Sequence, residues 1–313
     1  MAKVGQIYHP QYLKHDTGPG HPERPDRLRA ILQRLQESGL EDSLQALEPR
    51  RATHEEIAGV HDRDYIERVA RTAETRGIYL DSDTFASPGS YEAALWAAGG
   101  LLTAVDQVVD GAVDHAFAMV RPPGHHAERD HAMGFCLFNN VGVAAEYLIQ
   151  KHGFKRVAVV DYDVHHGNAT QHMFYDREDI FYFSTHRFPF YPGTGAAGET
   201  GRGAGAGYTL NIPMSAGSGD EEYLRVFREQ LVPALREYRP DFLLISAGFD
   251  AHRLDPLGGM RVSDEGFAQM TGQLEAVAQE FCGGKSVYTL EGGYDLTGLA
   301  GSVEQVIGLL LKQ

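Results

Sequence analysis

The segment VAVVDYDVHHGN, residues 157–168, places two carboxylates, two imidazoles and an amide directly after an apolar run. If the chain stays extended, Asp161, Asp163 and His165 project to the same side of it, because side chains alternate along a strand. Burying such groups costs free energy unless something pairs with them. A carboxylate and an imidazole at this spacing can bind one metal ion; an Asp–His hydrogen bond without a metal is the simpler alternative.

Three further apolar runs end in polar motifs of the same kind. AFAMV leads into RPPGHHA, FLLIS into AGFDAH, and VYTL into EGGYD. In open α/β sheets, ligands bind beyond the carboxyl ends of the strands, so these motifs predict one shared polar site. Asp250, in AGFDAH, is the candidate third metal ligand. Three protein ligands leave open the position that a catalytic metal needs.

Residues suited to acid–base chemistry accompany these candidate ligands. His125 and His126 are adjacent in a Pro- and Gly-rich turn, and imidazoles titrate near neutral pH. Asp161 and Asn168 are possible orienting partners for them. Tyr294 follows two glycines in EGGYD and can place its hydroxyl on a developing oxyanion; taken alone, it is explained equally well by core packing.

Alternating helices and strands must position these motifs. Strands of this kind between helices predict an α/β fold: a mostly parallel sheet with helices on both faces, in one domain over residues 1–313. The predicted strands are residues 116–120, 156–163, 179–184, 241–246 and 286–290. The predicted helices are residues 22–39, 90–111, 220–238, 263–281 and 297–312.

Composition disfavours several classes of protein. Lys and Arg number 28 against 43 Asp and Glu, a net charge of −15, which disfavours nucleic-acid binding and is compatible with a cationic substrate. Two cysteines, Cys136 and Cys282, argue against a disulfide framework and fit a reducing cytosol. No apolar run approaches membrane-spanning length and the N-terminus lacks a signal-peptide core, so a cytoplasmic protein without a membrane partner is expected.

Five of the segments carry a resemblance to a known family. RPPGHHA, GFCLFNN, VDYDVHHGN, SAGFDAH and EGGYDL resemble the signature segments of the histone deacetylase family, which includes acetylpolyamine amidohydrolases and has the arginase–deacetylase fold. The resemblance covers nearly the whole chain, beginning at HPERPDRL. It implies a Zn²⁺-dependent hydrolase that removes acetyl or other acyl groups from the ε-amine of lysine in proteins or peptides, using a metal-activated water. Fe²⁺ is an alternative metal, because Asp and His ligands also suit it.

The resemblance also implies a role for each candidate residue. His126 matches the general base, and Asn168 stands where some members have Asp as its partner. His125, paired with Asp161, matches a second histidine that supports the transition state. Tyr294 matches the residue that polarises the scissile carbonyl. The residues that match the metal ligands are Asp163, His165 and Asp250.

Further matches concern the substrate tunnel and a monovalent cation. Gly134 and Phe135 match one wall of an acyl-lysine tunnel, and Tyr191 matches the aromatic residue that faces it. Asp83 lies near the family's rim aspartate, which holds a peptide backbone, and Leu257 occupies a gate position. The residues implied for a structural K⁺ site are Asp161, Asp163, His165, Ser184 and Thr185. A weaker second cation site is implied at main-chain oxygens near Phe174, Arg177, Ile180 and Tyr208.

Two alternative functions are weighed against this one. An acetylpolyamine amidohydrolase is the nearer alternative, but polyamine-selective relatives tend to have a glutamate gate or a long loop insertion. Leu257 stands at the gate here, and no long insertion lies between Ser184 and Pro192. A non-catalytic acyl-lysine binding protein is the remoter alternative, because all the catalytic positions are present.

Two other motif interpretations are rejected. GTGAAG, residues 193–198, matches G-x-G-x-x-G, but no clear strand precedes it and no helix follows, as dinucleotide binding requires. A rim loop is the preferred interpretation. Gly167 occupies the position where a binuclear manganese site would want a further carboxylate, so one metal is expected.

Overall fold

An eight-stranded parallel sheet forms the centre of the computed structural model, which describes residues 2–313. A separate two-stranded antiparallel hairpin is formed by β3 (Ile78–Tyr79) and β4 (Phe85–Ala86). The strands of the main sheet are β1 (Val4–Ile7), β2 (Leu44–Leu47), β5 (His115–Ala118), β6 (Val157–Asp161), β7 (Ile180–Arg187), β8 (Thr209–Met214), β9 (Phe242–Ala247) and β10 (Ser286–Leu290). Their order across the sheet is β2-β1-β5-β10-β9-β6-β7-β8.

The four central strands are those that lead into the polar motifs. Every residue of β5, β10, β9 and β6 is buried, as expected for near-continuous apolar runs in a parallel sheet covered on both faces. All neighbouring pairs are parallel, so the carboxyl ends of these strands meet at one edge. The predicted α/β fold is therefore confirmed.

Helices cover both faces of the sheet. Two packed groups occur: α4 with α5, and α1 with α9 and α10. Among the helices of residues 2–313, none combines the length and the apolar character that crossing a membrane requires. The helices are α1 (Asp26–Ser38), α2 (His54–Ile57), α3 (Arg63–Arg71), α4 (Ser90–Val109), α5 (Asn140–Gln150), α6 (Asn168–Phe174), α7 (Asp220–Val226), α8 (Val232–Tyr238), α9 (Asp264–Phe281) and α10 (Leu296–Leu310).

The predicted elements are present with small shifts at their ends. The strand predicted at residues 286–290 matches β10, and the helix predicted at 220–238 is continuous but contains a π-helical turn between α7 and α8. The strands β1, β2 and β8 were not predicted. These strands mix polar and apolar residues, and β2 is largely exposed at the sheet edge. They were missed because their formation depends on pairing with strands distant in sequence.

Candidate active site

Strand β6 ends at Asp161, and the chain then bends at residues 163–165. The extended chain that the alternation argument assumed for residues 161–165 is therefore not present. Two aspartates in succession produce the bend: the Asp163 N–H donates to Asp161 Oδ1 at 3.1 Å, and the His165 N–H donates to Asp163 Oδ1 at 2.9 Å. Asp side chains stabilise turns by accepting from the backbone two residues on. The bend directs Asp163 and His165 toward the end of β9.

At that point Asp163, His165 and Asp250 converge. Each offers a ligand atom, and the three atoms all lie within 4.8 Å of one another. His165 Nδ1 lies 3.1 Å from Asp163 Oδ1 and 3.0 Å from Asp250 Oδ2. Asp250 reaches the cluster because β9 pairs in parallel with β6 and ends beside it. The structure thus brings together the three residues that the sequence marks as metal ligands.

Glycines make room for the two carboxylates. A Cβ atom on Gly248 would lie 2.1 Å from Asp163 Oδ2, and one on Gly292 would lie 2.3 Å from Asp250 Oδ2. The Gly292 N–H instead donates to Asp163 Oδ2 at 2.8 Å, and the Val164 N–H donates to Asp250 Oδ1 at 2.8 Å. The glycines of SAGFD and EGGYD therefore serve close packing around the cluster.

The charge of the cluster suits a cation. Asp163 and Asp250 are completely buried side by side, with His165 between them. Burial and the neighbouring Asp163 carboxylate raise the pKa of Asp250 to about 7, because a second negative charge is costly there. A divalent ion would remove this conflict, and carboxylate oxygen with imidazole nitrogen is a donor set that zinc accepts. The residues present therefore fit a metal ion.

His125 forms an ion pair beside the cluster. Its Nδ1 lies 3.0 Å from Asp161 Oδ2, and both side chains are buried. Burial alone would lower the pKa of His125, but the Asp163 and Asp161 carboxylates outweigh it and raise that pKa to about 10. A metal ion on the neighbouring ligands would oppose this shift by competing with the proton for their negative charge.

His126 has a neutral partner instead. Its Nδ1 lies 2.7 Å from Asn168 Oδ1, the amide at the start of α6. Burial and the nearby imidazoles of His125 and His165 hold the pKa of His126 well below its ordinary value. The two adjacent histidines, whose ring centroids are 3.9 Å apart, thus differ in charge: His125 favours the cation and His126 the neutral base.

Tyr294 follows β10 on the loop that carries Gly292 and Gly293. Its backbone N–H donates to Asp255 Oδ2 at 2.7 Å, and the Arg27 guanidinium carbon lies 5.1 Å from the centroid of its ring. Burial together with the Asp250 and Asp163 charges holds the pKa of Tyr294 well above its ordinary value. The hydroxyl therefore keeps its proton and can donate a hydrogen bond.

A narrow cavity of about 190 Å³ opens above these residues. Ligand pockets for drug-sized molecules occupy about 300–1,000 Å³, so this one suits a single slender group. Its lining residues are Asp83, His126, Gly134, Phe135, His165, Phe190, Tyr191, Leu257 and Tyr294. We call His126, His165 and Tyr294, together with the buried His125, Asp163 and Asp250, the floor. We call Asp83, Tyr191 and Leu257 the rim.

One wall of the cavity is a tight turn. Gly134 and Phe135 both have positive φ, 56° and 67°, which is uncommon for a residue with a side chain. A Cβ on Gly134 would lie 2.4 Å from the ring of His126, so glycine is required there. The Phe135 N–H donates to Thr84 Oγ1 at 3.0 Å, which holds the turn against the β3–β4 region.

The opposite wall contains two aromatic residues. Tyr191, which the resemblance implicated, packs edge-on against His126 with ring centroids 5.2 Å apart. Phe190, which was not predicted, stacks on His165 with centroids 5.3 Å apart. Its position beside Tyr191 is a signal that could have identified it. The rim residue Leu257 is 36% exposed, so its side chain borders both the cavity and solvent.

The residues predicted to bind a monovalent cation lie at the ends of β6 and β7. Ser184 is the register partner of Asp161, so the two side chains are neighbours on the sheet. Thr185 follows it, and the Thr185 hydroxyl has no hydrogen-bond partner among residues 2–313. Asp163 and His165 continue from β6, which places all five predicted residues in one region.

A buried acidic residue that the sequence did not single out, Glu291, supports the site. Glu291 accepts from the backbone N–H groups of Gly124 at 2.6 Å and His125 at 3.2 Å, and from Ser246 Oγ at 2.9 Å. Its carboxylate therefore positions the histidine turn. Glu291 also lies close to His125 and Cys136, but these hydrogen bonds engage both its oxygens, which makes that group a weaker metal candidate.

Comparisons with known proteins agree with this geometry. The family model described as histone deacetylase domain matches residues 21–310. A probable deacetylase of Archaeoglobus fulgidus is 41% identical over 297 residues, which cover 94% of this chain and 82% of that protein. A histone deacetylase-like amidohydrolase of Pseudomonas aeruginosa is 40% identical, and the match covers 90% of this chain and 75% of that protein.

Plant proteins are similar to the chain as well. Histone deacetylase 15 of Arabidopsis thaliana is 44% identical over 298 residues, and the chain spans about half of its length, 53%. A crystal structure described as the HDA15 HD domain superimposes with a TM-score of 0.95 at 41% identity, covering 100% of this chain and 90% of that one.

Proposed function

The chain belongs to the histone deacetylase family of hydrolases, and from this premise we propose that it removes acetyl or other acyl groups from the ε-amine of lysine in proteins or peptides with the help of a divalent metal. The observation that carries the proposal is the convergence of Asp163, His165 and Asp250 at the closed end of a narrow cavity. A buried, negatively charged ligand set beneath a slender opening suits metal-assisted hydrolysis of a group on a long side chain.

Zn²⁺ is the proposed metal, with Fe²⁺ as the alternative. When bound, the ion supplies a water of lowered pKa and polarises the acyl carbonyl. Asp163, His165 and Asp250 would hold it. K⁺ is proposed as a structural ion near Asp161, Asp163, His165, Ser184 and Thr185, and the pairing of Asp161 with Ser184 in the register of β6 and β7 supports this.

The floor residues divide the remaining chemistry between them. His126 is the proposed base: with Nδ1 bonded to the Asn168 amide oxygen, Nε2 carries the lone pair that accepts a proton from the attacking water. The Tyr294 hydroxyl donates to the oxyanion that forms from the acyl carbonyl. As the C–N bond breaks, a protonated histidine returns a proton to the leaving amine.

His125 is proposed to act by charge. Paired with Asp161, it would place an imidazolium beside the base and the ligands. A fixed positive charge in a buried site stabilises developing negative charge more strongly than it would in water. Asp161 keeps the ring oriented by accepting from Nδ1.

The shape of the cavity supports acyl-lysine as the substrate. Phe135 on one side and Phe190 with Tyr191 on the other form aromatic walls that suit a chain of methylene groups. Leu257 at the rim continues this apolar character. Asp83 lines the cavity at its rim, and we propose that its carboxylate accepts hydrogen bonds from the backbone of a peptide substrate.

Acetylated polyamines are a second candidate substrate class. Asp83 places a carboxylate at the rim, and the chain carries a net charge of −15, both of which would attract a cation. Leu257 argues in the other direction, because it offers an ammonium group no hydrogen bond. We therefore place this substrate class second.

The remaining proposals concern the context of the chain. We propose that residues 1–313 form one catalytic domain, that the protein works in the cytoplasm, and that it has no nucleic-acid partner. The single domain is supported by the continuous sheet. The cytoplasmic location is supported by two buried free cysteines, and the lack of a nucleic-acid partner by the acidic composition.

A substrate panel tests the proposal. Metal-loaded protein is assayed in parallel with acetyl-, propionyl- and longer acyl-lysine peptides and with acetylated polyamines, and kcat/KM is measured for each. We expect the highest kcat/KM with an acyl-lysine peptide. A higher value with a polyamine would move the second candidate to first place. Tight peptide binding without turnover at full metal loading would instead indicate a non-catalytic acyl-lysine binding protein.

A further inference from the structure

The amide of Asn168 lies between a histidine and a carboxylate. Its Oδ1 is 2.7 Å from His126 Nδ1, and its Nδ2 donates to Glu128 Oε1 at 2.5 Å. Glu128 does not line the cavity, and its side chain is connected to the proposed base through Asn168. It was not among the residues that the sequence singled out.

The chemistry of these groups determines which way the amide faces. An amide presents a donor at one end and an acceptor at the other, and either end can in principle face a histidine. A carboxylate only accepts, so Glu128 requires the NH₂ group of Asn168. The carbonyl oxygen must then face His126, and His126 Nδ1 must carry a proton to donate to it. This leaves Nε2 as the unprotonated nitrogen.

We infer that Glu128 is a positioning residue that selects the catalytic tautomer of His126 by fixing the orientation of the Asn168 amide. The inference rests on the proposed function, in which His126 Nε2 accepts a proton. It also explains how the two histidines of the floor differ. Asp161 bonds to His125 directly and gives it a carboxylate partner, whereas Asn168 lies between His126 and the Glu128 carboxylate.

Glu128 is itself held in place by its backbone. Its N–H donates to the His131 carbonyl oxygen at 2.9 Å, and its carbonyl oxygen accepts from His61 Nδ1 at 2.8 Å. The His61 tautomer is also determined, since its Nε2 accepts from the Asn139 N–H at 2.8 Å. The Glu128 side chain is only 13% exposed. The backbone of Glu128 is thus fixed, and its carboxylate has little freedom to move away from Asn168.

The same Glu128 oxygen has a second partner that provides a control. His172 Nδ1 lies 2.8 Å from Glu128 Oε1, on the helix that begins at Asn168, and the His172 side chain is 49% exposed. A glutamine at position 172 can still donate to Glu128. His172→Gln therefore perturbs the carboxylate from its solvent side and leaves the Asn168 contact in place.

A double-mutant cycle that exchanges the carboxylate and the amide of Glu128 and Asn168 tests the inference in the metal-loaded enzyme. In Glu128→Gln the new amide can donate or accept and no longer selects one orientation, so we expect kcat on an acetyl-lysine peptide to fall about tenfold or more, with KM and metal content unchanged. Asn168→Asp alone places two carboxylates in contact and should lower kcat at least as much. The double variant restores one donor and one acceptor, and we expect it to exceed both single variants about tenfold. His172→Gln should stay within about twofold of the wild type.

A second readout separates tautomer selection from a structural role. The ¹⁵N resonances of the His126 ring, assigned by difference with His126→Gln, should report an Nδ1–H tautomer in the wild type and a mixture in Glu128→Gln. Unchanged kcat and tautomer in Glu128→Gln would overturn the inference, as would a double variant no better than the single ones. The spectra test Glu128 even if the wild type proves to have no turnover, a result that would instead defeat the proposed function.

Discussion

The floor and the rim of the cavity differ in how deeply their side chains are buried. On the floor, His125, His126 and Asp163 each have a specific hydrogen-bond partner, and the side chains are buried. At the rim, Tyr191 and Leu257 are 37% and 36% exposed. Buried, paired groups hold one geometry, whereas exposed side chains can change with little cost to the fold. We therefore expect floor substitutions to abolish turnover and rim substitutions to redirect it.

The two regions are nevertheless joined through one carboxylate. Asp255 accepts from the backbone N–H groups of Leu257 at 2.8 Å and Gly258 at 3.0 Å, and from that of Tyr294 at 2.7 Å. Burial raises the pKa of Asp255, although these backbone donors oppose the shift. The backbone at Leu257 and Gly258 is thus held by the same carboxylate as Tyr294, whereas the Leu257 side chain takes no part in these bonds. Selectivity can change there without moving Tyr294.

The largest effect should come from the proposed ligands. Asp163→Ala and Asp250→Ala should each lose bound metal and activity together, by roughly a thousandfold or more, because a Lewis acid supplies several kcal/mol of stabilisation to the transition state. Metal analysis by mass spectrometry and turnover of an acetyl-lysine peptide provide the measurement. Asp42→Ala, at an exposed position, is the matched control. Stoichiometric zinc in both purified ligand variants would defeat the assignment.

Tyr294→Phe should leave fold and metal intact and reduce turnover. Removing one oxyanion donor typically lowers kcat by about 10²–10³. Tyr79→Phe, at a 61% exposed position on the β3–β4 hairpin, controls for loss of a tyrosine hydroxyl. Circular dichroism, metal content and kcat on one peptide are measured for both variants. An unchanged kcat would show that Tyr294 serves packing, and the distinction between floor and rim would lose its main support.

A rim substitution should alter substrate choice rather than rate. Leu257→Glu would give the ammonium of an acetylated polyamine a charged partner, a contact that contributes roughly 1.5–3 kcal/mol. We expect the kcat/KM ratio of N8-acetylspermidine to an acetyl-lysine peptide to rise about tenfold to a hundredfold. Leu254→Glu adds the same charge nearby, at a 51% exposed position that does not line the cavity. If both variants shift the ratio equally, general electrostatics and not the rim position is responsible.

The smallest effect should come from Asp83→Asn. The proposed contact with a peptide backbone weakens when the carboxylate becomes an amide, so KM for acetyl-lysine peptides should rise about threefold to tenfold with kcat nearly unchanged. A blocked acetyl-lysine monomer offers less backbone to hold and should be affected less. Equal changes for the monomer and the peptide would remove Asp83 from peptide recognition.

The sequence was most informative where the candidate ligands lie in one motif or follow predicted strands. Asp163 and His165 are two residues apart, and Asp250 follows a strand whose parallel pairing could be predicted from alternating elements. The assumption of an extended chain beyond Asp161 was in error, because the side chains of Asp161 and Asp163 also accept hydrogen bonds from the backbone and bend it. The convergence of the three residues does not depend on that error.

The supporting contacts were less accessible to sequence analysis. The contacts of Glu128 with Asn168, of Asp255 with Tyr294 and of Glu291 with Gly124 join residues distant in sequence, and single acidic residues carry no spacing signal. Strand β8 was missed for a related reason, since its alternating burial depends on pairing with β7. The residues proposed to perform chemistry were therefore predictable from motifs, whereas those proposed to position them required the structure.

Titration of metal-free protein with Zn²⁺ tests the central claim most directly. The purified chain is stripped with a chelator, its residual metal is measured, and turnover of an acetyl-lysine peptide is followed as Zn²⁺ is added, with bound metal determined at each point. We predict no turnover without metal and a linear rise that saturates at one Zn²⁺ per chain, because Asp163, His165 and Asp250 form a single three-ligand centre. Full turnover in the stripped protein, or saturation only at two ions per chain, would contradict this account.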